Sequence, residues 1–215
     1  MTSPQMKHPF GQTVDSISQL REILPSPSGI SVNKVLDHFD EHIKTFIRCS
    51  PYVLIATSGQ GGKCDASPRG GGPGFVKIID DKHLLLPEAT GNRRADTIEN
   101  LMSNPHIGMM FLVPGYEETL RLNGRAIVTR DEELLKLADP GGKNPPQLGL
   151  GIIVEECFLH CAKAAIRSNI WNPMGWPDLM EFPTAAEIFQ AHTGARLGNV
   201  RDMQALLDES YTNRL

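Results

Sequence analysis

Apolar residues recur at helical spacing from Val32 onward. Val32, Val35, Leu36, Phe39, Ile43, Phe46 and Ile47 follow one another with charges between them. That spacing predicts an amphipathic helix capped by Ser31 and stopped by Pro51. Upstream, the polar and proline-broken residues 1–30 leave room for one short helix, Asp15 to Leu24. At Tyr52 the pattern changes. YVLIATS (52–58) is short and β-branched, GQGG turns the chain, and KCDASPR (63–69) returns as the second strand of a hairpin. FVKIID (75–80) and HLLLPE (83–88) read as strands joined by a turn at Asp80, Asp81 and Lys82. NRRADTIENLMS (92–103) reads as a helix with Ile98, Leu101 and Met102 on one face, ended by Asn104-Pro105. Strands are predicted at HIGMMFLVP (106–114), TLRLNGRAIVTR (119–130) and GLGIIVEECFLHC (149–161), and helices at DEELLKLA (131–138), TAAEIFQAHTG (184–194) and VRDMQALLDES (200–210).

Strands and helices do not alternate strictly, which argues against a doubly wound parallel sheet. About six or seven short strands joined by tight turns fit a closed or split antiparallel barrel with peripheral helices. The expected class is mainly β (α+β). The expected organisation is an N-terminal arm (1–30), a barrel domain with a leading helix (31–170) and a helical C-terminal extension (171–215).

Composition narrows the partners. A net charge of -4 and a pI near 6.0 give no basic field for nucleic acid. No apolar run approaches the ~20 residues that span a bilayer. The first residues, MTSPQMKHPFGQTVDS, lack the apolar core of a signal peptide. The expectation is a soluble, cytoplasmic protein. Four cysteines in 215 residues are too sparse for a disulfide framework and suit a reducing compartment.

Several groups of residues could carry chemistry. The run Gly70-Gly71-Gly72-Pro73-Gly74 is followed by a strand, not the helix that a phosphate cradle needs. GQGGKC is too short for a P-loop. Cys157, His160 and Cys161 are metal-ligand types, but strand alternation sends His160 to the opposite side, and no second pair lies at zinc-finger spacing. No metal is expected. Arginines gather near strand ends: Arg69, Arg93, Arg94 and Arg121, with Arg125 behind them. Arg93 and Arg94 open a predicted helix, where free N–H groups and the helix dipole favour an anion. Guanidinium forks suit a phosphate monoester; solvated surface roles are the alternative. Lys163, Arg167 and Trp171 are spaced four apart, so in a helix they share a face that could cap a flat anionic ligand. No Ser-His-Asp order or carboxylate pair suggests a hydrolase.

From Tyr52 to about Val128 these pieces resemble the pyridoxamine 5'-phosphate oxidase-like flavoproteins. The matching segments are YVLIATS, KCDASPRGG, HLLLPEATGNRRADTIENLMSNPHIGMMFLVPG and ETLRLNGRA, and ECFLHCAKAAIRSNIW resembles the closing segment of one subgroup. The resemblance implies a split β-barrel that binds FMN non-covalently, in a homodimer with a site at each end of the interface. It implies that Arg93 and Arg94 grip the phosphate. Asp65, Ala66, Ser67 and Arg69 would line the ribityl chain or phosphate, and Leu86 and Pro87 would lie along the flavin. Thr119 or Arg121 would sit near the ring or the phosphate. His160, Lys163, Arg167 and Trp171 would reach the site from the C-terminal segment, with His160 and Lys163 as candidate acid or base. The implied function is an FMN-dependent oxidoreductase acting on a small molecule. The alternatives on the same frame are a true pyridoxamine or pyridoxine phosphate oxidase, a nicotinamide- or deazaflavin-dependent reductase, and a non-enzymatic flavin or haem binder. The chain lacks the Arg-x-His element of the true oxidases.

Overall fold

The helix expected from Ser31 to Ile47 is broken in two. A single turn, Ile30–Asn33, is entered through Gly29 with φ 59°, so Ser31 lies inside that turn instead of capping it. The second piece, Glu41–Cys49, starts at Asp40, whose carboxylate accepts the Ile43 N–H at 2.8 Å. Between them the chain runs extended. Leu36 exchanges two backbone hydrogen bonds with Cys157, at 3.0 and 2.7 Å, and the Phe39 N–H donates to the Asp81 carbonyl. The same apolar residues are buried (Phe39, Ile43 and Ile47), but a β-bridge and a new N-cap bury the first of them. An earlier helix, Ile17–Ile23, is capped by Ser16 as its sequence suggests. These three helices are α1 (17–23), α2 (30–33) and α3 (41–49).

The computed structural model describes residues 9–89, 94–139, 141, 144–194 and 196–213. Residues 1–35 and 36–215 form separate compact units. The first contains α1 and α2, with Ile17, Ile23, Leu24 and Ile30 exposed. The second contains seven strands: β1 (Tyr52–Ser58), β2 (Cys64–Gly70), β3 (Lys77–Ile78), β4 (His83–Glu88), β5 (His106–Leu112), β6 (Thr119–Thr129) and β7 (Leu148–His160). They form one antiparallel sheet in the order β2-β1-β5-β6-β7-β4-β3. The strand expected over 75–80 shrinks to Lys77–Ile78, because Ile79 already turns back onto the His83 carbonyl. The sheet curls into a split barrel and does not close: β2 and β3 are its two edges.

Alternate residues face inward and fill the barrel. Val53 and Ile55 of β1, Phe111 of β5, Leu120 and Leu122 of β6, and Leu150 and Ile152 of β7 are all 1% exposed or less. Each such side chain contributes roughly 1.5–3 kcal/mol. Ile43 and Ile47 of α3 join the same core, as do Ile98 and Leu101 of α4 (Asp96–Ser103). A register shift opposite Asn123/Gly124 gives β7 one extra residue, Glu155. Only glycine fits there, since a Cβ on Gly124 would lie 2.1 Å from the Ile153 carbonyl oxygen.

Beyond α5 (Glu132–Ala138) and β7, the chain forms α6 (Lys163–Ser168), a 3-10 turn at Pro173–Gly175, α7 (Ala185–Thr193) and α8 (Val200–Asn213). A capping box between Thr184 and Glu187 opens α7, and α7 packs against α8. Among the described residues no helix is long and apolar enough to cross a membrane.

Candidate functional site

The side chains of β2 alternate, and Asp65, Ser67 and Arg69 point inward while Ala66 and Pro68 point out. The inward three meet a strand from the far side of the split. Arg69 Nε donates to Glu88 Oε2 and Nη2 donates to Glu88 Oε1, both at 3.1 Å. Nη1 donates to the Pro68 carbonyl at 3.0 Å. Glu88 ends β4, two residues after the core residue Leu86, so it shares Leu86's inward face. Both charged side chains are largely buried, at 18% and 21% exposure.

Thr97, in the first turn of α4, completes the group. Its hydroxyl is 2% exposed and lies 3.4 Å from Asp65 Oδ2 and 3.5 Å from Ser67 Oγ and Arg69 Nη2. Ser67 Oγ donates to Asp65 Oδ2 at 3.2 Å. The result is a cradle of two hydroxyls, two carboxylates and one guanidinium at the mouth of the split. α4 is anchored beneath it: Asn100 Nδ2 donates to the buried Thr57 hydroxyl at 3.0 Å, and Asn104 caps the Ser58 carbonyl at 2.9 Å.

The entry to α4 differs from the sequence reading. The helix starts at Asp96, and its N-cap is Ala95 in the left-handed region, φ 55°. Arg94 therefore precedes the helix, is ion-paired with Asp96 and is mostly exposed. Arg93 lies outside the described residues. A short polar residue caps a helix better than alanine, and none stands here. The first-turn N–H groups carry positive partial charge here, and Asp96 and Glu99 of the same turn offset it.

Thr119, Arg121 and His160 are not in the cradle. Thr119 and Arg121 alternate with the core residues Leu120 and Leu122, so they lie on the outer face of the sheet. Thr119 pairs with His160 and Arg121 with Phe158 across β6 and β7. The Arg121 guanidinium sits 5.5 Å from the Phe158 ring centroid, and that ring stacks on His160 at 6.3 Å. His160 Nδ1 is buried, and no described residue hydrogen-bonds to it.

The four described arginines of the expected group do not converge. Arg69 faces inward, Arg94 precedes α4 and Arg121 lies on the outer face, while Arg125 pairs with Glu155 at 2.8 Å. The shared face of Lys163, Arg167 and Trp171 is also corrected. α6 ends at Ser168 and Asn169 turns left-handed at φ 52°, so only Lys163 and Arg167 belong to one helix. Leu86 is wholly buried core, and Pro87 points to the opposite side of β4. Cys157 is buried and Cys161 exposed beyond the strand end; among the described residues no group of three His, Cys, Asp or Glu could hold a metal.

Sequence reasoning missed Glu88 and Thr97. The signal for Glu88 was available: an inward arginine on a strand of small residues needs a counter-charge, and HLLLPE places a carboxylate in phase with Leu86. Two clefts lie elsewhere. One of about 400 Å³ runs between α3 and β3, where Lys44 is neutralised by Glu41 and Asp81 at 2.8 and 2.7 Å. The other, about 330 Å³, opens beside Cys64, His106 and Asn123. Neither includes a convergent set of buried polar groups like the cradle.

Residues 39–161 match the model of the pyridoxamine 5'-phosphate oxidase family. No curated protein sequence matches the chain. Similar solved structures include HupZ of group A Streptococcus, at 21% identity over 56% of this chain and 93% of that one, TM-score 0.47. A Clostridium acetobutylicum protein related to general stress protein 26 is similar at 18% identity over 57% and 90%, TM-score 0.44. The heme storage protein HutZ of Vibrio cholerae is similar at 16% identity over 56% and 94%, TM-score 0.38.

Proposed function

The chain belongs to the pyridoxamine 5'-phosphate oxidase family, and on that premise we propose that it binds FMN non-covalently as a homodimer and serves two-electron chemistry on a small molecule. The observation that supports this reading is the polar cradle at the split. Ser67, Thr97 and Asp65 offer hydroxyl and carboxylate partners to the hydroxyls of a ribityl chain. Arg94, mostly exposed in its pair with Asp96, and Arg93, its neighbour in sequence, would offer a terminal phosphate positive charge beside first-turn N–H groups. When bound, FMN supplies hydride or two-electron transfer, while the protein supplies binding, orientation and electrostatics.

This chain's own residues do the rest. The Asp65 carboxylate and the Ser67 hydroxyl would orient the polyol, and the buried Thr97 hydroxyl would hold both in place. The apolar wall from Leu86 and the barrel core excludes water behind it. His160 has a buried Nδ1 able to hold or accept a proton, and Lys163 follows three residues later on α6. His160 lies on the outer face of the sheet. That face is also the surface for the second copy. Tyr52, Leu54, Met110 and Leu112 lie there in neighbouring rows, beside Pro68, Ala66, Ala56 and Gly108. An apolar sheet face of this kind is what a homodimer covers.

The test is the absorption spectrum of the purified protein, with release of the chromophore on denaturation. The expected result is the two-band absorption of an oxidised flavin and release of FMN. A colourless protein that takes up no added FMN overturns the reading.

A further inference from the structure

We propose that Glu88 determines ligand specificity: it clasps Arg69 across the split and withholds that guanidinium from the phosphate of a flavin nucleotide. The resemblance that points to FMN implies that Arg69 lines the ribityl chain or phosphate; the geometry gives it a different task. β2 and β4 are not neighbours in the sheet, since β1, β5, β6 and β7 lie between them. The Arg69–Glu88 pair joins them directly across the split. It is bidentate, with Nε and Nη2 each 3.1 Å from a carboxylate oxygen. That is the fork geometry a phosphate would use, and it is taken. Nη1 is turned to the Pro68 carbonyl at 3.0 Å.

The charges around the pair point the same way. Asp65 adds a second carboxylate, linked to the group through Ser67 and Thr97. Two carboxylates to one guanidinium make this part of the cradle repel a dianion and suit hydroxyl donors. The phosphate's charge is left to the pair the resemblance implies, Arg93 and Arg94; Arg94 is 73% exposed in its pair with Asp96, against 18% for Arg69, so its pair is the weaker one. Glu88 thus holds down the advantage of a phosphorylated flavin over its unphosphorylated counterpart, and it ties β2 to β4 across the split.

The ligand in this inference rests on the flavin reading of the preceding subsection; the clasp does not. The experiment is titration with FMN and with riboflavin by flavin fluorescence, together with thermal melting, for the wild type, Glu88→Gln, Arg69→Gln and the double variant. Glu88→Gln is expected to raise the FMN-to-riboflavin affinity ratio roughly three- to tenfold, because the freed fork meets the phosphate. Arg69→Gln is expected to leave that ratio within about twofold of wild type. The two single variants and the double variant are expected to melt at similar, lowered temperatures, since each breaks the same pair. An unchanged ratio in Glu88→Gln overturns the proposal, as does a collapse of the ratio in Arg69→Gln. Should Arg69→Gln not fold, Glu88→Asp takes its place: its shorter reach should lower the melting temperature and raise the ratio, and a wild-type ratio overturns the proposal. A wild type that binds neither flavin defeats the flavin reading and the specificity role together. Additive melting losses in the two single variants defeat the clasp alone.

Discussion

Cys157 is wholly buried, and its Sγ donates to the His38 carbonyl at 3.2 Å. Burial, reinforced by Asp40, Asp37 and Glu156, pushes its thiol up to about 11 from the ordinary 9.0. A raised folded-state value means the neutral thiol stabilises the fold fully below pH 9.0, and that contribution is lost as pH rises through about 11. Cys49, Cys64 and Cys161 are exposed. A thiol-reactive chromogenic disulfide at about pH 8 should therefore label three cysteines quickly and Cys157 only on unfolding. Rapid labelling of all four would contradict the burial. At this scale the sequence shows a residue's type but not its partner. Arg69 stands out in KCDASPRGG, yet the carboxylate that engages it is 19 positions away and comes close only when the barrel curls. His160 likewise has the right chemistry, but its outward direction follows from strand phase after the bulge at Glu155 of β7.

Most elements are legible because each has its own local signal. The strands at YVLIATS, HLLLPE and HIGMMFLVP, and the hairpin into KCDASPR, lie where alternation and turns place them. The elements that differ do so where two backbones bury the same residues. Helical spacing from Val32 to Ile47 marks an apolar stripe, and Asp40 as an N-cap together with the Leu36–Cys157 bridge satisfies that stripe with an extended link and a shorter helix. α4 starts late because Ala95 adopts a left-handed turn, which no propensity for alanine suggests. α6 stops at Asn169 for the converse reason: asparagine tolerates that conformation, so the signal was present and outweighed by the four-residue spacing of Lys163, Arg167 and Trp171.

On the scale of the whole molecule, the outer face of the sheet carries the consequence. Tyr52 and Leu54 remain 40% and 39% exposed on a central strand, flanked by Met110 and Pro68. A second copy covering this face would remove that apolar surface from water, at about 25 cal/mol per Å². Sedimentation should give twice the chain mass of 23.6 kDa, and Leu54→Asp with Met110→Asp should return it to the monomer without loss of β structure. A monomeric wild type at working concentration would set the dimer aside.

The proposed flavin site is best tested by where ligand binding protects the backbone. Amide hydrogen exchange, read by mass spectrometry on the chain with and without FMN, separates the cradle from every other surface. Protection is expected over residues 64–70 of β2, 86–88 of β4 and 96–100 of α4, which carry the cradle. Binding of FMN with no protection there, or with protection confined to the clefts beside Lys44 or Cys64, would contradict the account.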